Sequence, residues 1–170
     1  MLKQIKSNEE IKFALAELAN IINYDYKDIK YLDVICFING ASIFCSDLVR
    51  LINVPIKLHH LGFSSYPNFP SSGEVKIEQD VKDTLENKHV LLLEGLVISG
   101  KTPLYLLNSF KLRNPASIKI CAVGVKNESI EVDLDIDYFM FNFKDEWIEG
   151  YGIGNGKNKS LPYLIDSRED

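Results

Sequence analysis

The tetrapeptide Ser-Gly-Lys-Thr at residues 99–102 is the part of the sequence best suited to bind a phosphate group. It follows a continuous apolar run at residues 90–93, which predicts a strand buried on both faces. It precedes an amphipathic stretch at residues 103–112 that begins with a proline, a residue favoured in the first turn of a helix. The predicted order is therefore strand, loop and helix, with Gly95 and Gly100 bracketing the loop.

A loop in this position predicts an anion site for physical reasons. Backbone N–H groups at the start of a helix lack intrahelical partners, and the helix dipole favours negative charge there. The hydroxyl groups of Ser99 and Thr102 add two further hydrogen-bond donors. An ordinary turn between a strand and a helix is the alternative interpretation, because the longer spacing of a Walker-type phosphate loop is absent.

A second strand–loop–helix unit precedes this one in the chain. The apolar, β-branched run at residues 32–37 predicts a buried strand, and residues 43–52 predict a helix. The turn between them contains Asn39 and Gly40. An Asn-Gly pair is common in any turn, so its position after a buried strand is what makes it a candidate binding site.

Two later strands also end at residues that could contact a ligand. The apolar run at residues 118–125 predicts a buried strand, and Lys126 follows it. Residues 137–143 predict another strand, and Trp147 comes soon after. A lysine offers a cationic hydrogen-bond donor and a tryptophan offers a stacking surface, although a single tryptophan near a strand end is also common in a core or at its rim.

A polar loop at residues 64–74, rich in Ser, Pro and Gly, joins a predicted strand at 56–63 to a short strand at 75–77. The lack of any hydrophobic period predicts a mobile loop, although a plain hairpin connection could have the same composition. Near the ends of the chain, a capping signal predicts a helix at residues 9–24, and residues 161–165 predict a last strand.

Strands that alternate with helices predict an α/β fold with a mostly parallel central sheet flanked by helices. We expect one domain that spans residues 1–170, because this length is typical of a single domain. The loops that follow parallel strands lie at the same edge of the sheet, where ligands bind in such folds. The candidate binding residues described above should therefore meet at one edge.

Composition excludes several classes of function. The net charge of −5 argues against a nucleic-acid-binding surface. No apolar run approaches the ~20 residues of a membrane-spanning helix, so we expect no membrane partner. The N-terminal residues are polar and show no apolar segment of the kind found in signal peptides. These features together predict a cytoplasmic protein.

Cysteine and histidine positions do not predict a metal site. Cys36, Cys45 and Cys121 are widely spaced and lie in apolar surroundings, so we interpret them as buried free thiols. His59 and His60 are neighbours on a predicted strand and therefore point to opposite faces of the sheet. A structural or surface role is the expected one for both histidines.

The tetrapeptide and its surroundings resemble the type I phosphoribosyltransferase family, in particular its hypoxanthine-guanine branch. In that branch a strand ends in two acidic residues, and a loop of the form Asp-Thr-Gly-Lys/Arg-Thr follows. Glu94 matches the first acid, and residues 99–102 match the end of the loop. Residues 65–66 and 73–77 match the two ends of the family's catalytic flap, which begins Ser-Tyr and ends near Ser-Gly-Glu-Val-Lys-Ile. The resemblance extends over nearly the whole chain.

The resemblance implies where the two phosphate groups of a substrate would bind. Asn39 and Gly40 match a loop that contacts pyrophosphate. An arginine that also contacts pyrophosphate has no counterpart in residues 156–160, where Lys157 or Lys159 is the candidate substitute. The residues implied in binding the 5′-phosphate are Ile98, Ser99, Gly100, Lys101 and Thr102.

The resemblance also implies a base site and catalytic candidates. Lys126 matches a lysine that donates a hydrogen bond to the exocyclic oxygen of the purine. Trp147 matches an aromatic residue that stacks on the base, and Ile148 matches the residue whose backbone reads the base. The flap closes over the reacting centre and excludes water in such enzymes. The catalytic candidates are Glu94, Ser65 and Tyr66.

Three positions depart from the family pattern, and all three lack an expected acid. Gly95 replaces the second acid of the strand, Ile98 replaces the loop aspartate that acts as general acid/base near N7, and Gly154 replaces a magnesium-binding aspartate. Isoleucine does not transfer a proton, and the loss of a general acid/base typically costs about 10²–10⁴-fold in rate. The sequence therefore predicts no protein ligands for a metal at Gly154.

The sequence leaves three functions open. The first is a protein that retains 5′-phosphate and purine binding with weak or lost catalysis. The second is an active purine phosphoribosyltransferase with rearranged catalytic groups, and the third is a non-enzymatic nucleotide-sensing or partner subunit. The expected ligands are a purine base or purine monophosphate and phosphoribosyl pyrophosphate, with Mg²⁺ as a cofactor only if the protein is active. The resemblance also implies a homo-oligomer, either a dimer or a tetramer.

Overall fold

The computed structural model describes residues 3–38, 40–65 and 73–168, apart from the side chain of Ser65. Strands and α-helices alternate through most of this part of the chain. In chain order the elements are β1 (Lys3–Lys6), α1 (Asn8–Asp25), β2 (Leu32–Phe37), α2 (Ser42–Val49), β3 (Ile56–Ser65), β4 (Val75–Gln79), β5 (His89–Val97), α3 (Lys101–Lys111), β6 (Ser117–Val125), β7 (Tyr138–Asn142), β8 (Ile148–Glu149) and β9 (Leu164–Asp166).

The main sheet has six strands in the order β4-β3-β2-β5-β6-β7. All neighbours in it pair parallel except β3 and β4, which pair antiparallel. Every residue of β2 is buried, as expected for a parallel strand covered on both faces. The predicted α/β fold with a mostly parallel sheet is therefore confirmed.

A second, three-stranded sheet was not predicted from the sequence. Its order is β1-β9-β8, and both pairs are antiparallel. The strand predicted at residues 161–165 is shorter in the structure, and it belongs to this small sheet rather than to the main one. Strands of two to four residues have too few alternating positions to show a period in the sequence.

The helices begin and end close to the predicted positions. The capping box at the start of α1 is present, since Glu10 N donates to Ser7 Oγ at 3.1 Å and Ser7 N donates to Glu10 Oε2 at 2.7 Å. Helix α2 ends at Val49, three residues before the predicted end. Helix α3 begins two residues earlier than predicted, because Gly100 adopts a φ of 80° and serves as its N-cap residue.

The prediction that Gly95 begins the phosphate loop is wrong. Strand β5 continues to Val97, and its residues pair with β6 on both sides of Gly95, through Glu94 with Ala122 and Leu96 with Gly124. A glycine inside a strand often marks a point where another backbone approaches closely. The loop itself is therefore only residues 98–100.

The interpretation of the cysteines and of His59 is confirmed. Cys36, Cys45 and Cys121 are free and buried. The buried His59 has its Nε2 atom 2.7 Å from Oδ1 of the buried Asp33, on the neighbouring strand. Within residues 3–38, 40–65 and 73–168, no helix is long and apolar enough to cross a membrane.

Candidate active site

A cavity of about 550 Å³ lies at the carboxyl ends of the parallel strands. Each of four strands contributes to its lining through the segment that follows it. Gly40 comes after β2, residues 98–102 come after β5, Lys126 comes after β6, and Trp147 comes after β7. These loops meet at one edge of the sheet, as predicted.

The phosphate loop forms one side of this cavity. Ile98, Ser99, Gly100 and Thr102 line it, and the carbonyl oxygen of Ser99 accepts a hydrogen bond of 3.0 Å from the backbone of Glu131. The ammonium group of Lys101 is bound elsewhere, because its Nζ atom lies 2.6 Å from Glu131 Oε2. Glu131 therefore binds the phosphate loop twice, through its own backbone N–H to Ser99 and through its carboxylate to Lys101.

The candidate base site is formed by other residues that line the same cavity. Lys126 lines the cavity, and its backbone donates to the carbonyl oxygen of Val97 at 2.9 Å. The side chain of Trp147 is 68% exposed at the rim, so one of its faces is open for stacking. Ile148 is buried in β8 and also lines the cavity.

The backbone of Trp147 is fixed by the end of the chain. Its N–H donates to Asp166 Oδ1 at 3.0 Å, and its carbonyl oxygen accepts from Ser167 N at 2.8 Å. Arg168 binds the same carboxylate, with Nη2 2.6 Å from Asp166 Oδ2, and these hydrogen bonds hold the pKa of Asp166 well below its usual value. The candidate stacking residue is therefore carried on an ordered backbone.

Glu94 lies deep in the cavity, near the end of β5. Its Oε1 atom accepts a hydrogen bond of 2.7 Å from the backbone N–H of Gly95. Burial raises the pKa of this carboxyl from 4.5 to about 7, because a low-dielectric environment disfavours the ionised form, and the hydrogen bond from Gly95 lowers it only in part. Glu94 is thus poised to exchange a proton near neutral pH.

Gly95 leaves no room for a side chain because the loop after β2 packs against it. A Cβ atom at this position would lie 2.9 Å from the carbonyl carbon of Gly40 and would collide with the Gly40 oxygen. The Gly40 carbonyl group therefore stands where the side chain of a second acid would begin. Asn39, the other predicted pyrophosphate contact, lies outside the described residues.

Ile98 and Gly154, which stand where the family has acids, lie in different surroundings. The Ile98 side chain is 49% exposed and contributes an apolar surface to the cavity. A Cβ atom at Gly154 would lie 2.9 Å from Cγ of Glu149, whose carboxylate accepts a hydrogen bond of 2.8 Å from Asn158. The carboxylate nearest to Gly154 is thus engaged in holding its own loop.

These observations do not fit a magnesium site formed by protein ligands. Within residues 3–38, 40–65 and 73–168, no three His, Cys, Asp or Glu side chains come together in a group that could hold a metal ion. The position where the family has a magnesium-binding aspartate is a glycine with a φ of 95°, a conformation that strains any side chain, and the Glu149 side chain packs against it. We therefore derive no step of the reaction through a protein-bound metal.

A smaller cavity of about 310 Å³ lies beside the first one. Ser42 at the start of α2 and Gly152 line it, together with Lys157 and Lys159, the two candidate substitutes for the family arginine. These lysines provide positive charge next to the Gly40 loop. The flap candidate Tyr66 and the side chain of Ser65 lie outside the described residues.

The structure reveals supporting residues that sequence reasoning missed. Glu131 binds Lys101, Asp166 holds Trp147, and Asp47 accepts a hydrogen bond of 2.8 Å from the hydroxyl group of Tyr151. Each acts on a residue that is 19 or more positions away in the chain, so no local pattern identifies it. For Asp47 alone the resemblance offers an indication, because Asp47 and Leu48 match an acidic–apolar step on the family's helix after the pyrophosphate loop.

Comparison with known proteins agrees with this architecture. Residues 1–154 match the family model described as the phosphoribosyl transferase domain. The chain belongs to the phosphoribosyltransferase family. A hypoxanthine-guanine phosphoribosyltransferase from Dictyostelium discoideum is 35% identical over 171 residues, which cover 98% of this chain and 95% of that protein. A hypoxanthine phosphoribosyltransferase from Buchnera aphidicola is 36% identical, covering 96% of this chain and 94% of the relative.

Solved structures of family members superpose on nearly the entire chain. A hypoxanthine-guanine phosphoribosyltransferase from Bacillus anthracis has a TM-score of 0.94 and 30% identity, covering 99% of this chain and 100% of that one. A hypoxanthine phosphoribosyltransferase from Trypanosoma cruzi in complex with the product IMP has a TM-score of 0.93 and 30% identity, covering 98% and 94% of the two chains. The resemblance to the type I family and its hypoxanthine-guanine branch is therefore confirmed.

Proposed function

We propose that this protein binds a purine and phosphoribosyl pyrophosphate and transfers the phosphoribosyl group to the purine at a low rate. One observation carries the proposal: the phosphate loop, Lys126 and Trp147 line a single cavity. An anion-binding loop, a cationic donor and a stacking surface in one cavity suit a purine monophosphate. Relatives named hypoxanthine-guanine and hypoxanthine phosphoribosyltransferase support transfer to a purine base, a reaction of purine salvage.

The low rate follows from the missing acids. With Ile98 in the position of the loop aspartate, the base has no proton acceptor there, and such a loss typically costs about 10²–10⁴-fold. Pyrophosphate would be held by the Gly40 loop and by the charges of Lys157 and Lys159. Mg²⁺ would arrive with its pyrophosphate and water ligands, since this ion commonly uses few protein carboxylates.

The test is an isotope-labelled transfer assay with hypoxanthine, guanine, xanthine and adenine, run beside thermal unfolding with the matching purine monophosphates. We expect stabilisation by at least one monophosphate and slow formation of the corresponding product. Trp147→Ala and Thr102→Ala should weaken the stabilisation. Absence of stabilisation by every purine monophosphate would refute the proposal.

Ile98→Asp provides the matched gain-of-function arm. Ile98 is 49% exposed to solvent and lines the cavity, so a carboxylate at this position remains accessible to a ligand and to water. Restoring the acid should raise the transfer rate by at least 10-fold, a threshold set below the gain of about 10²–10⁴ that general acid/base groups typically give. An unchanged rate would mean that the missing aspartate does not limit transfer. The assembly state, the cytoplasmic location and the single-domain organisation stay predictions.

A further inference from the structure

One group in the main cavity can accept a proton at neutral pH. Among the described residues that line this cavity, Glu94 is the only carboxylic acid, and the remaining titratable group is the cationic Lys126. The other polar side chains there are hydroxyl groups and an amide, which do not act as bases near neutral pH. Among these described residues, Glu94 is therefore the one that can take a proton from a bound base.

The position of Glu94 suits this task. The residue sits on β5, a central strand of the sheet, four positions before the exposed Ile98 side chain. Its carboxylate accepts one hydrogen bond from the protein within the part of the chain described, from Gly95 N at 2.7 Å. A carboxylate with a single internal partner retains lone pairs for a ligand or a water molecule in the cavity.

The loss of the neighbouring acid leaves Glu94 without a competing carboxylate. The backbone of the Gly40 loop fills the space beside Gly95, and a side chain at Gly40 would begin 3.7 Å from Glu94 Oε1. A neutral carbonyl group thus replaces a negative charge next to Glu94. Burial then sets its proton affinity, and the pKa of about 7 makes it an effective base near physiological pH.

We propose that Glu94 is the catalytic residue that accepts the proton lost by the purine when its N9 atom attacks the ribose. In this step the N9–C1′ bond forms, the C1′–O bond to pyrophosphate breaks, and pyrophosphate leaves with that electron pair. The ring N–H proton of the purine passes to the Glu94 carboxylate, directly or through one water molecule, and returns to solvent after product release. The proposal rests on the proposed phosphoribosyl transfer.

The experiment compares Glu94→Gln and Glu94→Asp with the wild-type protein in the labelled transfer assay, with kcat and KM measured across the pH range. Wild-type kcat/KM should fall on the acidic side of about pH 7, as Glu94 of the free protein becomes protonated. Glu94→Gln should lower kcat by about 10²-fold or more and abolish this acidic limb. Glu94→Asp should retain part of the rate together with an acidic limb. Glu86→Gln, on the exposed Glu86 side chain outside the cavity, is the matched control and should behave as wild type.

The outcomes separate this inference from the proposed function. If Glu94→Gln retains kcat and the acidic limb and only raises KM for phosphoribosyl pyrophosphate, Glu94 binds the ribose and the inference is wrong, while the proposed function stands. If the wild-type protein binds a purine monophosphate but forms no product, the proposed transfer and this inference are both wrong, and only nucleotide binding stands. Failure to bind any purine monophosphate would instead overturn the proposed function itself.

Discussion

Removing the charge of Glu94 should stabilise the folded protein in a pH-dependent way. Its pKa rises from 4.5 to about 7 on folding, because the carboxyl is buried beside the cavity. A group whose pKa is raised in the folded state contributes stability that is fully present below the unfolded-state pKa. That contribution is lost as the pH rises through the folded-state value. Wild-type stability should therefore decline between about pH 4.5 and pH 7 on account of this residue.

The magnitude follows from the size of this change. One pKa unit corresponds to about 1.4 kcal/mol, so ionising Glu94 costs the fold at most about 3 kcal/mol at pH 8. Water in the cavity screens the charge and reduces this figure. For a chain of this size, 1 kcal/mol shifts the melting temperature by about 2–4 °C. Glu94→Gln, which keeps the shape and the acceptor for Gly95 N–H, should thus melt up to about 6–12 °C higher at pH 8.

The assay is urea unfolding and thermal unfolding of both proteins, without ligand, from pH 4 to pH 8. The free energies of unfolding should agree at about pH 4 and separate progressively above it, with the variant more stable. Glu86→Gln should show no such separation, because its side chain is exposed. A difference that stays constant with pH would refute the reasoning, since it would mean that burial does not raise the pKa of Glu94.

Three further changes test packing around the site and the fold. His59→Leu removes the histidine nitrogen that lies 2.7 Å from the buried Asp33 carboxylate. The free energy of unfolding in urea should fall by about 3–5 kcal/mol, because the carboxylate is left buried without its partner. A fall of less than about 1 kcal/mol would contradict the stabilising role of this pair. Gly95→Ala brings a Cβ atom against the Gly40 carbonyl group and should lower the free energy of unfolding by about 1–3 kcal/mol, whereas unchanged stability would show that the loop moves aside. Ser7→Ala removes the cap of α1 and should cost about 1 kcal/mol in the same measurement, and a neutral result would mean that the capping box adds nothing.

The sheet and the meeting of its loops could be predicted because they depend on local patterns. Continuous apolar runs identified β2, β5 and β6, and the alternation with helices implied a parallel sheet. A parallel sheet in turn places the ends of its strands along one edge. The predicted positions of the phosphate loop and of Lys126 followed from this geometry, without knowledge of any side-chain contact.

The supporting contacts could not be predicted, because they join distant parts of the chain. The small sheet brings Asp166 to the backbone of Trp147, and its strands are too short to show a period. The ion pair between Lys101 and Glu131 depends on how the segment after β6 folds back against the phosphate loop. The continuation of β5 through Gly95 could not be predicted either, because glycine is more typical of turns than of strand interiors.

The three missing acids differ in how firmly the present structure excludes them. At Gly95 the Gly40 carbonyl group occupies the space of a side chain, and at Gly154 the side chain of Glu149 does so. Restoring an acid at Gly95 therefore requires the Gly40 loop to move, whereas at Gly154 it requires the Glu149 side chain to shift and strains a backbone with a φ of 95°. Ile98 is half exposed to solvent and lines the cavity, so a carboxylate there remains accessible to a ligand and to water. If Glu94 has taken over the proton, Ile98→Asp adds a second acceptor to an otherwise unchanged cavity. The gain in rate in the Glu94→Gln background should then exceed the gain in the wild-type background, which a double-mutant cycle measures directly.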